Sequence, residues 1–393
     1  MSSDSVYIVS GARTPMGGLL GSLSGASAVQ LGTTAMAEAV KRAGIDANDI
    51  EEAVMGCVLQ AGLKQGPARQ AALGAGIPKT TGCVTINKLC GSGMQATIYA
   101  HDMIKAGTCN VALAGGMESM SNAPHLVLGG RGGFGTGGKS LEDHMFFDGL
   151  QDAYQGGMMG SFAQKTADDH GLTREAMDAF AIESLVRAQK AIEDGSLDAE
   201  SVPVTISTRK GDITVKDDEQ PGKANLEKIP TLRPAFKKDG TVTAANSSSI
   251  SDGASALILM SGEEVEKRGL KPLARIVAHS RNSHDPELFT TAPIGAVEKL
   301  LAKTGWSKDE VDLWEINEAF AMVTMLAIQG LDLDHAKVNV HGGACAQGHP
   351  IGSTGSRIIV SLIYALQKYG KKRGVAALCI GGGEALATAI ELV

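Results

Sequence analysis

Residues 341–355 read HGGACAQGHPIGSTG and set His341, Cys345 and His349 four positions apart. On one continuous helix that spacing would line up three metal-binding side chains. Gly342, Gly343, Gly348 and Gly352, with Pro350 directly after His349, rule out such a helix, so no metal site is expected there. His349 has a different counterpart in Cys90 of NKLCGSGMQ, 259 residues earlier. Each sits in a small-residue turn before a helical pattern, and together a thiol and an imidazole make a nucleophile and its base. The helix that follows Cys90 offers N–H groups and a positive dipole end, which lower a thiol from its ordinary value of about 8.5. Gly91, Ser92 and Gly93 leave room for a bulky acyl group. Cys379 ends the apolar run of ALCIGGGEA, where N–H groups of a triple-glycine turn can converge on a carbonyl oxygen. Asn317, after VDLWEI, could orient a water or donate to an oxyanion; it could equally cap a helix.

These residues need a scaffold that brings distant turns together. Short apolar runs alternate with helical patterns: VYIVSG, SAVQLGTTAMAEAVKRAGI, AVMGCVL, CGSGMQATIYAHDMIKAG, VALAGGMES. This is the signature of an α/β chain with a buried sheet. The theme then recurs. AGIDANDIEEAV (43–54) aligns with TGWSKDEVDLWE (304–315), and ALAGGMES (112–119) with LCIGGGEA (378–385). A period this long means a duplicated domain rather than a solenoid. Cys90 and His349 then occupy equivalent turns of two facing halves.

The expected halves are residues 1–119 with about 249–270, and residues 271–393. Between them, residues 120–248 break the rhythm with GGRGGFGTGG and KDDEQPGKANLEK and are expected to form an inserted loop domain. GFGTGG (133–138) matches GxGxxG, but it follows no strand and opens no helix, so it reads as a surface loop rather than a dinucleotide site. NSS at 246–248 reads as polar backbone-binding sequence, not a glycosylation acceptor.

With 393 residues, the chain is long enough for two or three packed subdomains. Its net charge of −7 gives no electrostatic pull toward nucleic acid or an anionic membrane, and no apolar run approaches spanning length. Six scattered cysteines without CxxC pairs, after an N-terminal MSSDSV that is no signal stretch, point to a reducing cytoplasm.

NKLCGSG, GGMESMSNAP, KDGTVTAANSSSISDGASA, INEAF, GGACAQGHPIGSTG and CIGGG, in this order and spacing, closely resemble the thiolases, the coenzyme A dependent acetyltransferases. The resemblance covers essentially the whole chain. It implies the thiolase fold, with two duplicated α/β halves in a layered αβαβα core. It further implies that Cys90 becomes acylated, His349 accepts its proton, and Cys379 acts as acid and base at the α-carbon of a second thioester. Two oxyanion sites are implied, one from His349 with a water on Asn317, the other from the N–H groups of Cys90 and Gly381. The implied reaction is reversible condensation of two acetyl-CoA to acetoacetyl-CoA and CoA, with CoA as substrate and no cofactor or metal. Ser248, Ala244, Ala319 and Met159 are implied contacts for pantetheine, and Lys223 stands near the usual basic contact for the CoA phosphates. A homotetramer, a dimer of dimers, is the implied assembly.

The chain departs from the family pattern at three places. MMG (158–160) stands where short-chain biosynthetic members carry HMG, which removes a polar contact near the acyl group. His341 replaces the second asparagine of NxNGGA, with Cys345, Ala346 and Gln347 following, and could support the site from behind. ANSSSISD stands for GNASGIND, adding side chains at Ala245 and Ser249. The competing enzyme reading is a degradative 3-ketoacyl-CoA thiolase of longer chain range; an acyl-CoA binding protein without chemistry is opposed by intact Cys90, His349 and Cys379.

Overall fold

A computed structural model describes residues 4–393. In the first half, strands β1 (Val6–Arg13), β2 (Glu52–Gly56), β3 (Gly82–Ile86), β4 (Val111–Ser119) and β5 (Ser251–Ser261) lie in the order β1-β5-β4-β2-β3. The outer pairs β4–β2 and β2–β3 are parallel, and β1–β5 and β5–β4 antiparallel. Helices α1 (Ala28–Ala43) and α2 (Pro67–Gly74) cover one face, and α3 (Ser92–Lys105) the other. Local sequence sets the helix ends. Ser27 and Gln30 form a capping box at the start of α1, and Gly44 ends it in the left-handed region at φ 65°.

Between β4 and β5 the chain leaves the sheet. It forms α4 (Met159–Asp169), α5 (Arg174–Glu193) and a hairpin of Val204–Thr208 with Gly211–Val215. Residues 133–138 form an exposed loop, as expected. Buried Arg13 ties this region back to β1, with Nε 2.5 Å from Glu200 and Nη1 2.7 Å from Asp218. Removing one partner of such a buried set leaves an uncompensated charge, which costs about 3–5 kcal/mol.

The second half repeats the first. Strands β6 (Ala274–Ser283), β7 (Leu313–Ile316), β8 (Arg373–Ile380) and β9 (Glu384–Leu392) lie in the order β6-β9-β8-β7, with β7–β8 parallel and the other pairs antiparallel. A parallel bridge from Trp314 to Val338 stands where β3 stands in the first half. Strand order and direction therefore match element by element, as a duplication requires. Among the described residues the two sets join through two antiparallel pairs, Tyr7 with Arg275 and Ile8 with Ala274. Helices α6 (Ala292–Thr304) and α7 (Ala321–Leu331) cover the far face, and α8 (Thr354–Lys368) lies with α3 in the middle.

The layering follows from where each face is buried. Tyr7 and Val9 of β1 pack with Leu31, Ala35 and Met36 of α1, whereas Val6 and Ile8 turn to Ile98 of α3 and to Ile359 and Ile363 of α8. With both faces covered, VYIVSG reads as a continuous apolar run rather than an alternation. The same central cluster contains Ile276, Leu378 and Ile390 of the second sheet, so α3 and α8 are shared between the halves. The expected αβαβα order is present. Among the described residues no helix is long and apolar enough to cross a membrane.

Candidate active site

Cys90 stands in the five-residue stretch between β3 and α3, and that stretch is strained. Leu89, directly before it, has φ 48°, a left-handed conformation that costs a leucine about 1–2 kcal/mol. Polar neighbours hold the turn. Leu89 N–H donates to Asn87 Oδ1 (2.9 Å), Lys88 N–H donates to Ser92 Oγ (2.8 Å), and Ser92 Oγ donates to the Leu89 carbonyl (2.7 Å). Lys88 also pairs with Glu384 of β9 at 2.7 Å, tying the turn to the other half. The N–H groups of Gly381 and of Cys90 itself lie near enough to the sulfur to favour its thiolate. They do not produce the lowered thiol expected from the helix terminus. Burial outweighs them and pushes Cys90 up to about 11.

His349 reaches the same cavity from the equivalent turn of the second half. Its Nδ1 lies 2.7 Å from Thr354 Oγ1, whose own hydrogen goes to the Pro350 carbonyl at 3.0 Å. The hydroxyl can therefore only accept from the ring, which puts the proton on Nδ1 and leaves the lone pair on Nε2. Among the described residues Nε2 is buried without a hydrogen-bond partner, so Cys90 and His349 share the cavity without a hydrogen bond between them. Burial, and then the charge of Arg357, push the imidazole down to about 3, so it is neutral in the free protein.

Glu118, absent from the sequence-based candidates, ties the segment after β2 to the turn that carries His349. At the end of β4 its carboxylate accepts from Val58 N–H (2.9 Å), Leu59 N–H (3.1 Å) and Gly352 N–H (2.9 Å). Burial pushes it up to about 7 against those donors. A glutamate in the otherwise apolar ALAGGMES strand was the available signal.

Cys379 is fully buried near the end of β8, packed with Met159, Phe289, Ala319 and Phe320. Burial pushes its thiol well above the ordinary range, and the neighbouring Cys90 adds to the shift. Past Ile380 the chain turns through Gly381, Gly382 and Gly383. A Cβ on Gly381 would lie 3.2 Å from Met159 Sδ and 3.3 Å from Leu89 Cδ1, crowding the space beside the thiol. Asn317 is joined to this strand by its N–H, which donates to the Ala377 carbonyl at 3.0 Å. Among the described residues its side-chain oxygen and nitrogen, both buried, have no hydrogen-bond partner. Helix α7 begins four residues later, with Phe320 in the capping position, so Asn317 is no helix cap. Next to it, Glu318 accepts from Ser184 Oγ (2.7 Å), Asn339 Nδ2 (2.9 Å) and Cys345 N–H (3.1 Å).

The cavity holds about 190 Å³ and is walled by Leu89, Leu150, Met158, Phe236, Phe289 and Phe320. Of the expected pantetheine contacts, Ser248, Ala319 and Met159 line it, with Ser248 N–H donating to the Ala319 carbonyl at 3.0 Å. Ala244 and Lys223 instead line a second cavity beyond Ser249, with Asn225, Leu232 and Cys345. Lys223 there pairs with Glu219. Asn246 of NSS is buried, donating to Asp178 and to the Thr241 carbonyl. One expectation for the opening motif needs correcting. His341 does not back the site: it is buried against Tyr369, ring centroids 5.6 Å apart, in a separate cavity toward α5. Cys345 lies behind the catalytic turn, its sulfur on the Glu318 carbonyl at 3.7 Å.

A cysteine with two backbone N–H groups near its sulfur, a neutral histidine with a free nitrogen and a second buried cysteine, on a duplicated α/β scaffold, define an acyl-transfer centre. Comparison with known proteins narrows the class. Residues 6–263 match the family model described as thiolase, N-terminal domain, and residues 270–392 that of the thiolase C-terminal domain. An acetyl-CoA acetyltransferase of Schizosaccharomyces pombe is 46% identical over 395 residues, the whole of both chains. Acetyl-CoA acetyltransferase 2 of Arabidopsis thaliana is 48% identical over 99% of this chain and 97% of its own. The crystal structure of the Bacillus anthracis acetyl-CoA acetyltransferase superposes with a TM-score of 0.97 at 40% identity, over 99% of each chain. A thiolase from Ascaris suum in complex with coenzyme A does so with 0.94 at 44%, over 99% of this chain and 100% of its own. The chain belongs to the thiolase family.

Proposed function

We propose that this thiolase catalyses the reversible Claisen condensation of two acetyl-CoA to acetoacetyl-CoA and CoA. The carrying observation is that Cys90, His349 and the Gly381 N–H converge on one apolar cavity, with Cys379 adjacent to Cys90. His349 Nε2 takes the Cys90 proton, and the thiolate attacks the acetyl carbonyl. The oxyanion accepts from the N–H groups of Cys90 and Gly381. The carbon–sulfur bond to CoA breaks, and the leaving thiolate takes the proton of Cys379. The Cys379 thiolate then removes an α-proton from the second acetyl-CoA, and the enolate oxygen accepts from protonated His349 and from a water held by Asn317. The carbanion attacks acetyl-Cys90. Cys90 leaves as a thiolate and recovers its proton from His349, which restores all three groups. Because burial disfavours imidazolium, the charged ring forms only opposite a thiolate or an enolate.

Full-length similarity to proteins named acetyl-CoA acetyltransferase supports this substrate over the longer ketoacyl chains of the alternative reading. The scheme balances with side chains alone, so CoA enters as substrate and no cofactor is required. Met158, Ser248, Ala319 and Met159 contact the pantetheine end, and Ala244 and Lys223 the more distant part of CoA, in the same proposal. We also propose a cytoplasmic homotetramer; six unpaired cysteines suit a reducing compartment. Mass spectrometry after mixing with acetyl-CoA tests the mechanism. Wild type and Cys379→Ala both acquire acetyl on Cys90, Cys90→Ser does not, and Cys379→Ala loses condensation by about 10³-fold. Acetyl on another residue, or full condensation by Cys379→Ala, overturns it.

A further inference from the structure

We propose that His101, Asp102 and His279 form a divalent transition-metal site that clamps the two halves together, apart from the catalytic centre. His101 and Asp102 are near the end of α3, the helix that begins just after Cys90, and His279 is on β6 in the second half. His101 Nδ1 lies 2.8 Å and His279 Nε2 3.0 Å from Asp102 Oδ1. The three atoms that could bind a metal all fall within 4.8 Å of one another. Zinc bonds of about 2.0–2.2 Å put neighbouring ligand atoms roughly 3 Å apart, which the two nitrogen–carboxylate separations match. The two rings are edge to face, centroids 5.2 Å apart, and direct their nitrogens at one point.

Both imidazoles are largely buried, while the Asp102 side chain is 53% exposed. The rings are thus held in place, and the carboxylate can rotate back to admit an ion, each neutral ring then carrying its proton on the nitrogen that does not face the metal. Two imidazoles and one carboxylate suit Zn²⁺, Co²⁺ or Ni²⁺ better than Mg²⁺ or Ca²⁺, with water completing the coordination. Arg281, Lys299 and Lys303 border the adjoining cavity, and Lys303 Nζ donates to the His279 carbonyl at 3.2 Å. Their charge makes the site weaker than a closed four-ligand zinc site. Because the ligands come from both halves, an ion bound here raises resistance to unfolding rather than turnover.

Calorimetric titration of the EDTA-treated, dialysed full-length protein with ZnCl₂ tests this, with Co²⁺ as spectroscopic probe. One Zn²⁺ binds per chain and raises Tm, and Co²⁺ gives d–d bands without a thiolate charge-transfer band. His101→Gln, His279→Gln and Asp102→Asn each weaken binding at least about tenfold and abolish the Tm rise. Their metal-free Tm and thiolysis activity in EDTA match wild type, which separates a lost ligand from a damaged fold. No saturable uptake, equal uptake by the His101→Gln/His279→Gln double variant, or a cysteine-type Co²⁺ spectrum overturns the proposal.

Discussion

The turns that carry Cys90 and His349 occupy the same place in the two halves, and each is preceded by a residue with positive φ: Leu89 at 48°, Gly348 at 112°. One half uses a leucine where the other uses glycine. At Gly348 there is no room for a side chain, since a Cβ would lie 2.2 Å from Ser251 Oγ. At Leu89 the side chain faces the cavity and forms part of its wall. The first turn therefore bears backbone strain and contributes to the acyl pocket, whereas the second only aims a ring. The helices also begin at different distances. Ser92 opens α3 two residues after Cys90 and its hydroxyl fixes the strained turn before the sulfur, whereas α8 opens at Thr354, five residues after His349, and its first residue is what fixes the imidazole. The duplication supplies two equivalent positions; short local differences make one an electrophile-binding nucleophile and the other a base.

The largest expected effect comes from forcing the two turns to be alike. Gly348→Ala combines an unfavourable φ with a clash against Ser251, costing about 3 kcal/mol or more. Thiolysis falls by at least about 10²-fold and Tm drops. Leu89→Gly relaxes its turn and loses one wall, so activity stays within about tenfold of wild type. Thermal melts with parallel thiolysis assays decide this, and a Gly348→Ala protein as active and stable as Leu89→Gly would remove steric necessity as the source of the asymmetry.

Such contrasts show what could be read from the sequence. Strands buried on both faces keep continuous apolar runs, and helix ends carry their own caps, so the α/β class and the repeat were legible from residues such as Gly44 and the VYIVSG run. Cys90 and His349 were legible because the repeat aligned their turns. Thr354, Glu118 and the φ of Leu89 were not, since each depends on packing between segments far apart in the chain. Glu118 binds amides near residues 58 and 352, which no local pattern links. His341 shows the opposite error: three residues after Val338 the chain rotates its ring toward Tyr369, although by sequence it lies only eight residues from His349.

The anchor of the second turn comes next in size. Thr354→Val keeps the shape of the side chain but removes the acceptor for Nδ1–H, so the ring no longer holds one tautomer. With a general base worth 10²–10⁴, partial loss of its orientation lowers kcat about 10–100-fold and leaves KM nearly unchanged. Thr354→Ser restores the hydroxyl and returns kcat to within about threefold of wild type. Equal kcat for the valine and serine variants would show that the hydroxyl does not orient the base.

The smallest effect tests the thiol itself, and its sign follows from burial. Cys90 is pushed up to about 11 and His349 down to about 3, so between those values the resting pair is neutral thiol and neutral imidazole rather than thiolate and imidazolium. A raised thiol means that thiolate increases steadily with pH throughout the neutral range. Alkylation of Cys90 by iodoacetamide, followed at the Cys90 peptide in the absence of CoA, therefore rises about tenfold per pH unit from roughly pH 7 to 9 without a plateau. An imidazolium-stabilised thiolate would instead level off at low pH, as the pair would already be ionised. Its detection would mean that the charge on His349, with the N–H groups of Gly381 and Cys90, outweighs burial at the first turn. The two turns would then differ less in electrostatics than in geometry alone.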